Sequence, residues 1–140
     1  MRRGAGGNRV PHFVVEYTDN VAQCDIPALL AKASATLAAQ DGVFPLGGIR
    51  ARAIAAQHFC ISNGQPGDAF VHATLKIGSG RTAQAKQKVC DELFGLLQQH
   101  FQAAAARPNV SVSMELYEFD EGGTYKLNNV HARFRSARRA

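Results

Sequence analysis

Two arginines in this chain each follow a run of glycine: Arg50 after Gly47-Gly48-Ile49, and Arg81 after Gly78-Ser79-Gly80. Glycine lets the backbone approach a ligand closely, and a planar guanidinium that stays charged can donate two parallel hydrogen bonds to a carboxylate. Both residues are therefore candidate anion contacts. The same pattern also suits surface or ion-paired arginines, with Gly78-Ser79-Gly80 an ordinary strand-to-helix turn. A third residue with latent chemistry is Pro11. Inside a chain its nitrogen is an amide without a proton, and Pro11 would only open a strand. At a chain terminus the same nitrogen would be a secondary amine, and an α-amino group has a pKa of roughly 7.7 to 8.0. Burial and nearby arginines would lower that value and leave a neutral base near pH 7.

Other chemistries find less support. Glu16, Glu115 and Glu118 fall on predicted strands with no spacing that demands a carboxylate pair. His12, His58, His72, His100 and His131 show no paired metal-ligand spacing and read as structural or exposed residues. Cys24, Cys60 and Cys90 are odd in number and widely spaced, which fits reduced thiols better than a disulfide framework or a zinc motif. No metal or cofactor is expected. Arg52 and Arg107 read as surface charge.

The elements that must position Pro11 and the arginines are legible in the periodicity. Phe13 to Thr18 is rich in β-branched and aromatic residues and predicts a strand, ended by Asp19-Asn20. Leu29, Leu30, Ala33, Leu37 and Ala38 recur at helical spacing, with Asp25 or nearby Pro27 at the start and Gly42 at the end. After the loop Phe44-Pro45-Leu46-Gly47-Gly48, residues 49–62 predict one or two strands, and Asn63-Gly64-Gln65-Pro66-Gly67 is a turn cluster. Val71, Ala73, Leu75 and Ile77 alternate with more polar neighbours as in a half-buried strand. Val89, Leu93, Leu96, Leu97 and Phe101 mark the apolar face of a long helix from near Thr82 to before Pro108. Val110, Val112, Met114 and Leu116 predict another strand, and the end of the chain reads as a small hairpin or arm.

Strand-helix-strand thus occurs twice, which predicts an α/β (α+β) two-layer sandwich: a mixed four-stranded sheet with helices on one face. The uncovered sheet face could be covered by identical subunits around a symmetry axis. At 140 residues and 46% apolar content the chain suits one soluble domain. No apolar run approaches the roughly 20 residues of a membrane span, and the first residues lack the apolar centre of a secretory signal, so a cytoplasmic protein is expected. The net charge of +5 is terminal in origin. Arg2, Arg3 and Arg9 precede Val10, Arg138 and Arg139 end the chain, and the body between holds 11 positive and 11 negative residues. That balance argues against nucleic-acid binding.

Taken in order, Val10-Pro11-His12-Phe13-Val14-Val15-Glu16-Tyr17, Phe44-Pro45-Leu46-Gly47-Gly48-Ile49-Arg50, Leu75-Lys76-Ile77-Gly78-Ser79-Gly80-Arg81 and Asn128-Asn129-Val130-His131-Ala132 resemble the 5-carboxymethyl-2-hydroxymuconate isomerase family of the tautomerase superfamily. The resemblance runs from Pro11 to about Phe134. It implies a cofactor-independent homotrimer that converts the enol of 5-carboxymethyl-2-hydroxymuconate, an unsaturated polycarboxylate, to its oxo isomer in bacterial homoprotocatechuate (4-hydroxyphenylacetate) catabolism. Pro11 would be the N-terminal base that moves the proton, and Arg50 and Arg81 the clamp for the substrate's anionic groups. Losing a preorganised donor to a developing oxyanion costs about 2.7 to 4 kcal/mol in other enzymes. Such a role requires Pro11 to be the first residue. The expectation is that residues 1–10 are a misread or disordered extension, with translation starting at Val10 read as methionine and then removed. Residues 11–135 would form the domain and 136–140 a flexible basic tail. With Pro11 acylated, the chain would instead be a non-catalytic trimeric module that binds dicarboxylates. A tautomerase for another unsaturated 2-hydroxy or 2-oxo acid is the nearest enzymatic alternative.

Overall fold

His12–Thr18 forms strand β1 at the centre of the molecule, because every second residue, Phe13, Val15 and Tyr17, faces the apolar interior. The computed structural model describes residues 10–21, 24–102 and 109–139. The extension expected over residues 1–10 lies outside them except for Val10, as does the stretch just before Pro108. After β1 come helix α1 (Ile26–Ala38), strands β2 (Arg50–Ala56) and β3 (Ala69–Gly78), helix α2 (Ala83–His100), strand β4 (Val110–Phe119) and helix α3 (Val130–Arg139). A single strand, β2, occupies the stretch where one or two were expected, and Gln57 to Asp68 runs through bends and turns. Gly64 and Gly67 there take φ of +80° and +92°, a region closed to most side chains.

The sheet order is β2-β1-β3-β4. β1 runs parallel to β2 and antiparallel to β3, and β3 runs parallel to β4. Each parallel pair is joined through a helix, so the molecule is two strand-helix-strand units sharing the β1–β3 seam, as the periodicity predicted. Both helices start on side-chain caps: Asp25 Oδ1 accepts from the Ala28 amide at 3.2 Å, and Thr82 Oγ1 from the Ala85 amide at 3.1 Å. Leu29, Ala33 and Leu37 of α1 and Val89, Leu93 and Leu97 of α2 are buried on one sheet face against Phe13, Val15, Val71, Ala73, Leu75 and Ile77. Just past the end of α1, Gln40 ties it to the middle of α2, donating to the Thr36 carbonyl and to Glu92 Oε2 and accepting from Lys88 Nζ at 3.1 Å.

The chain end corrects one expectation. A helix, α3, stands where the sequence suggested a hairpin or arm, preceded by a one-turn helix at 121–123 and an extended stretch at 124–129. The extended stretch ends where Asn128 Oδ1 accepts from the Val130 amide at 2.7 Å, a local cap that short-range apolar periodicity does not reveal. The opposite sheet face carries Arg50, Arg52 and Ile54 of β2, His12 and Glu16 of β1, His72 and Lys76 of β3, and Glu115 and Tyr117 of β4, and no helix among the described residues covers it. Leu93, fully buried between α2 and the sheet, tests the core: Leu93→Ala should lower unfolding free energy by about 2 to 5 kcal/mol in urea titration, with little change in slope.

Candidate active site

Pro11 is buried immediately before β1, and its carbonyl accepts a hydrogen bond from the Arg50 amide at 3.0 Å. This bond precedes the register that pairs His12 with Arg50 and Val14 with Arg52. At this end of the sheet a cavity of about 260 Å³ is lined by Val10, His12, Arg50 and Phe119 on one side and by residues 124–128 on the other. The Pro11 nitrogen joins Val10 to the rest of the chain, so it lies between two residues of the cavity wall, Val10 and His12. Were the chain to begin at Pro11, the space held by Val10 would be vacated beside that nitrogen.

Arg50 is fixed by its own loop. Its Nη1 donates to the Gly47 carbonyl at 2.9 Å and to the Ile49 carbonyl at 3.0 Å. Among the described residues Nε and Nη2 have no protein acceptor, and these are the two donors on the edge of a guanidinium that can meet both oxygens of a carboxylate. Gly47 and Gly48 sit in a one-turn helix, Leu46–Gly48, and both are buried. The reason Gly47 is glycine is tertiary. A Cβ there would lie 2.6 Å from His131 Nδ1 and 3.0 Å from His131 Cα, so α3 packs directly on the loop that carries Arg50. Two of the sequence segments, 44–50 and 128–132, are thus one packed unit.

Arg81 occupies a different place. Its Nη1 donates to the Gly78 carbonyl at 2.7 Å, its Nη2 to the Val43 carbonyl at 3.4 Å, and its guanidinium carbon lies 4.6 Å from the centre of the Phe44 ring. These contacts brace the loop before Gly47, but Arg81 is not part of the cavity wall. The structure therefore brings Pro11 and Arg50 together and seats Arg81 against the Val43 carbonyl and the Phe44 ring.

Sequence reasoning passed over His12, Phe119 and the segment 124–128. The missed signal for His12 was parity: with Phe13 and Val15 facing the core, His12 must face the other way, beside Arg50. Its Nδ1 lies 3.1 Å from Arg52 Nη1. Burial, then Arg52, Arg50 and Lys76, hold its pKa below the usual histidine value of 6.5. Arg52, read from sequence as surface charge, is exposed but engaged with this ring. Among the described residues no group of three or more His, Cys, Asp or Glu side chains is placed to hold a metal ion, and no helix is long and apolar enough to cross a membrane.

A four-stranded mixed sheet built from two strand-helix-strand units, with a small cavity at the proline end of β1, defines a tautomerase-type α+β protein. The sequence model for 5-carboxymethyl-2-hydroxymuconate isomerase matches residues 11–134, and the chain belongs to that family of isomerases. It is 42% identical over 127 residues to the 5-carboxymethyl-2-hydroxymuconate Delta-isomerase of Escherichia coli, spanning 90% of this chain and all of that protein. A crystal structure of a 5-carboxymethyl-2-hydroxymuconate isomerase from Deinococcus radiodurans R1 is 44% identical and superposes with a TM-score of 0.87, covering 91% of this chain and 96% of that one. Another solved 5-carboxymethyl-2-hydroxymuconate delta-isomerase, at 24% identity and a TM-score of 0.80 over 89% of this chain and 93% of that one, shares the fold.

The Gly47–His131 contact yields a test. Gly47→Ala forces α3 away from the Arg50 loop and should cost about 1 to 3 kcal/mol of stability, measured by thermal or urea unfolding. Adding His131→Ala should restore only part, because the 3.0 Å contact with the His131 backbone remains.

Proposed function

We propose that this protein isomerises 5-carboxymethyl-2-hydroxymuconate from its enol to its oxo form, with Pro11 as an N-terminal general base and Arg50 and Arg81 as the anion clamp. The supporting observation is the cavity whose wall holds Val10 and His12, the residues on either side of Pro11, together with Arg50, whose Nη1 is tied to its own loop while Nε and Nη2 meet no acceptor among the described residues. The reaction needs a proton taken from one position of a conjugated acid and returned at another, with charge held meanwhile on a dienolate. A neutral secondary amine can do both transfers, since the protonated proline left by the first step is the acid for the second. A guanidinium that meets a carboxylate through two donors fixes which carbon faces that amine. The 1–10 prefix would be absent from the working enzyme, because an acylated Pro11 has neither lone pair nor proton to exchange.

On this reading Arg81 holds the second anionic group or acts through the loop it braces. Arg50→Ala and Arg81→Ala separate the two: direct contact predicts a loss of about 100- to 1000-fold in kcat/KM, whereas bracing alone predicts a smaller loss accompanied by lowered stability. The decisive first measurement is the intact mass of protein made from the native gene. A chain beginning at Pro11, active and inactivated by Pro11→Ala with its fold retained, supports the base mechanism. A chain that keeps Val10 acylating Pro11 and still binds dicarboxylates without turnover supports the binding-module reading.

The assembly proposed is a homotrimer in the cytoplasm of a cell that degrades homoprotocatechuate. Its physical support is the uncovered sheet face, where Ile54 and Tyr117 remain 52% and 58% exposed, together with Tyr125 and Leu127 at more than 90%. Apolar side chains displayed on that scale favour burial against copies of the same chain. Sedimentation equilibrium should give three times the chain mass, and Ile54→Glu, on the open face, should shift the distribution toward smaller species.

A further inference from the structure

The cavity wall holds one imidazole, that of His12, and its surroundings fix where its proton sits. Arg52 Nη1 lies 3.1 Å from His12 Nδ1. A guanidinium can only donate, so this contact requires an unprotonated Nδ1 and places the ring's proton on Nε2. Arg52 is not itself in the cavity wall, whereas His12 and Arg50 are. Arg52 therefore grips the ring at Nδ1 from β2, and His12 is the member of this pair that belongs to the cavity wall. The charges around it are those of Arg50 and Arg52 on β2, Lys76 directly across on β3 and Lys126 in the opposite cavity wall. The nearest acid on β1, Glu16, lies four residues away along the same strand face, beyond Val14. No carboxylate lines the cavity among the described residues.

The ring cannot act as a base at Nδ1 without breaking its contact with Arg52, which leaves proton transfer to another group. What it can do is donate from Nε2 without adding positive charge beside the proline nitrogen. A neutral donor orients an oxygen that Arg50 already attracts. We propose that His12 is a substrate-contacting hydrogen-bond donor of this cavity, held in its Nε2–H tautomer by Arg52 as a positioning residue, and that it meets a carboxylate oxygen of the unsaturated acid beside Arg50. This inference rests on the tautomerase reading for the identity of the acid, but the tautomer and the contact can be tested apart from turnover.

Nitrogen-15 NMR of histidine-labelled protein, with the His12 signals assigned by their loss in His12→Gln, reads the tautomer directly. The expected result is Nε2–H with a bare Nδ1 in the free protein, a mixture of tautomers in Arg52→Met, and a shift of the Nε2 signal on adding 2-hydroxymuconate as probe. The same neutral ring makes the folded state lose stability as pH falls from about 6.5 through the lowered folded pKa, because there the unfolded chain takes up a proton that the folded one resists. His12→Gln should shrink that acid limb. In kinetics His12→Ala should raise KM about 10- to 100-fold with a smaller change in kcat, as expected for a donor lost from a charged ligand, and His12→Gln should recover part of it. An Nδ1–H tautomer, or an Nε2 signal that stays still while 2-hydroxymuconate binds, overturns the proposal. If the wild-type protein turns over no unsaturated 2-hydroxy acid, the tautomerase reading fails by itself, and the NMR result still decides the role of His12.

Discussion

Everything at the candidate site depends on the register between β1 and β2, which begins where the Arg50 amide donates to the Pro11 carbonyl. Side chains alternate across a sheet, so a slip of one residue would turn Arg50 and Arg52 toward the helices and put Ala51 and Ala53 in their place. The apolar pattern forbids that slip. Phe13 and Val15 are wholly buried, and Ala51 and Ala53 beside them leave room for α1 to approach the edge strand. The core therefore fixes the site indirectly: by deciding which parity of β1 and β2 is buried, it decides that His12, Arg50 and Arg52 emerge together on the other side.

The second constraint is the contact between α3 and the 46–48 turn. Arg50 is held through the carbonyls of Gly47 and Ile49, and Gly47 is in turn held against His131. Residues 124–128, which lead into α3, form the opposite wall of the cavity. The chain terminus thus encloses the cavity and braces the arginine within it, and a change at either end of this contact is felt at the other.

Charge is distributed to match. The body of the chain has balanced charge, yet the end of the sheet near Pro11 gathers Arg50, Arg52, Lys76 and Lys126, while Glu118 of β4 and Glu92 of α2 pair with lysines of α2, Lys86–Glu118 at 2.8 Å and Lys88–Glu92 at 3.1 Å. Partly exposed pairs of that kind add little stability. Neither carboxylate is in the cavity lining, which among the described residues carries Arg50 and Lys126 and no acid.

The sequence by itself determined the two strand-helix-strand units, the starts of the two long helices near Asp25 and Thr82, the buried faces of both helices and the family, because each of these is written in residues near one another along the chain. It also singled out Pro11 and the two glycine-flanked arginines, although it could not tell where each guanidinium would lie. Their placement was decided by tertiary structure, which set Arg50 in the cavity wall and folded Arg81 onto Phe44 and the Val43 carbonyl. The helical chain end, the reason for Gly47 and the pairing of His12 with Arg52 were likewise decided only by folding. The physical reason is separation: His12 and Arg52 are 40 residues apart and Gly47 and His131 are 84, and no local periodicity encodes which distant side chain will fill the space that a glycine leaves or take the lone pair that a histidine offers.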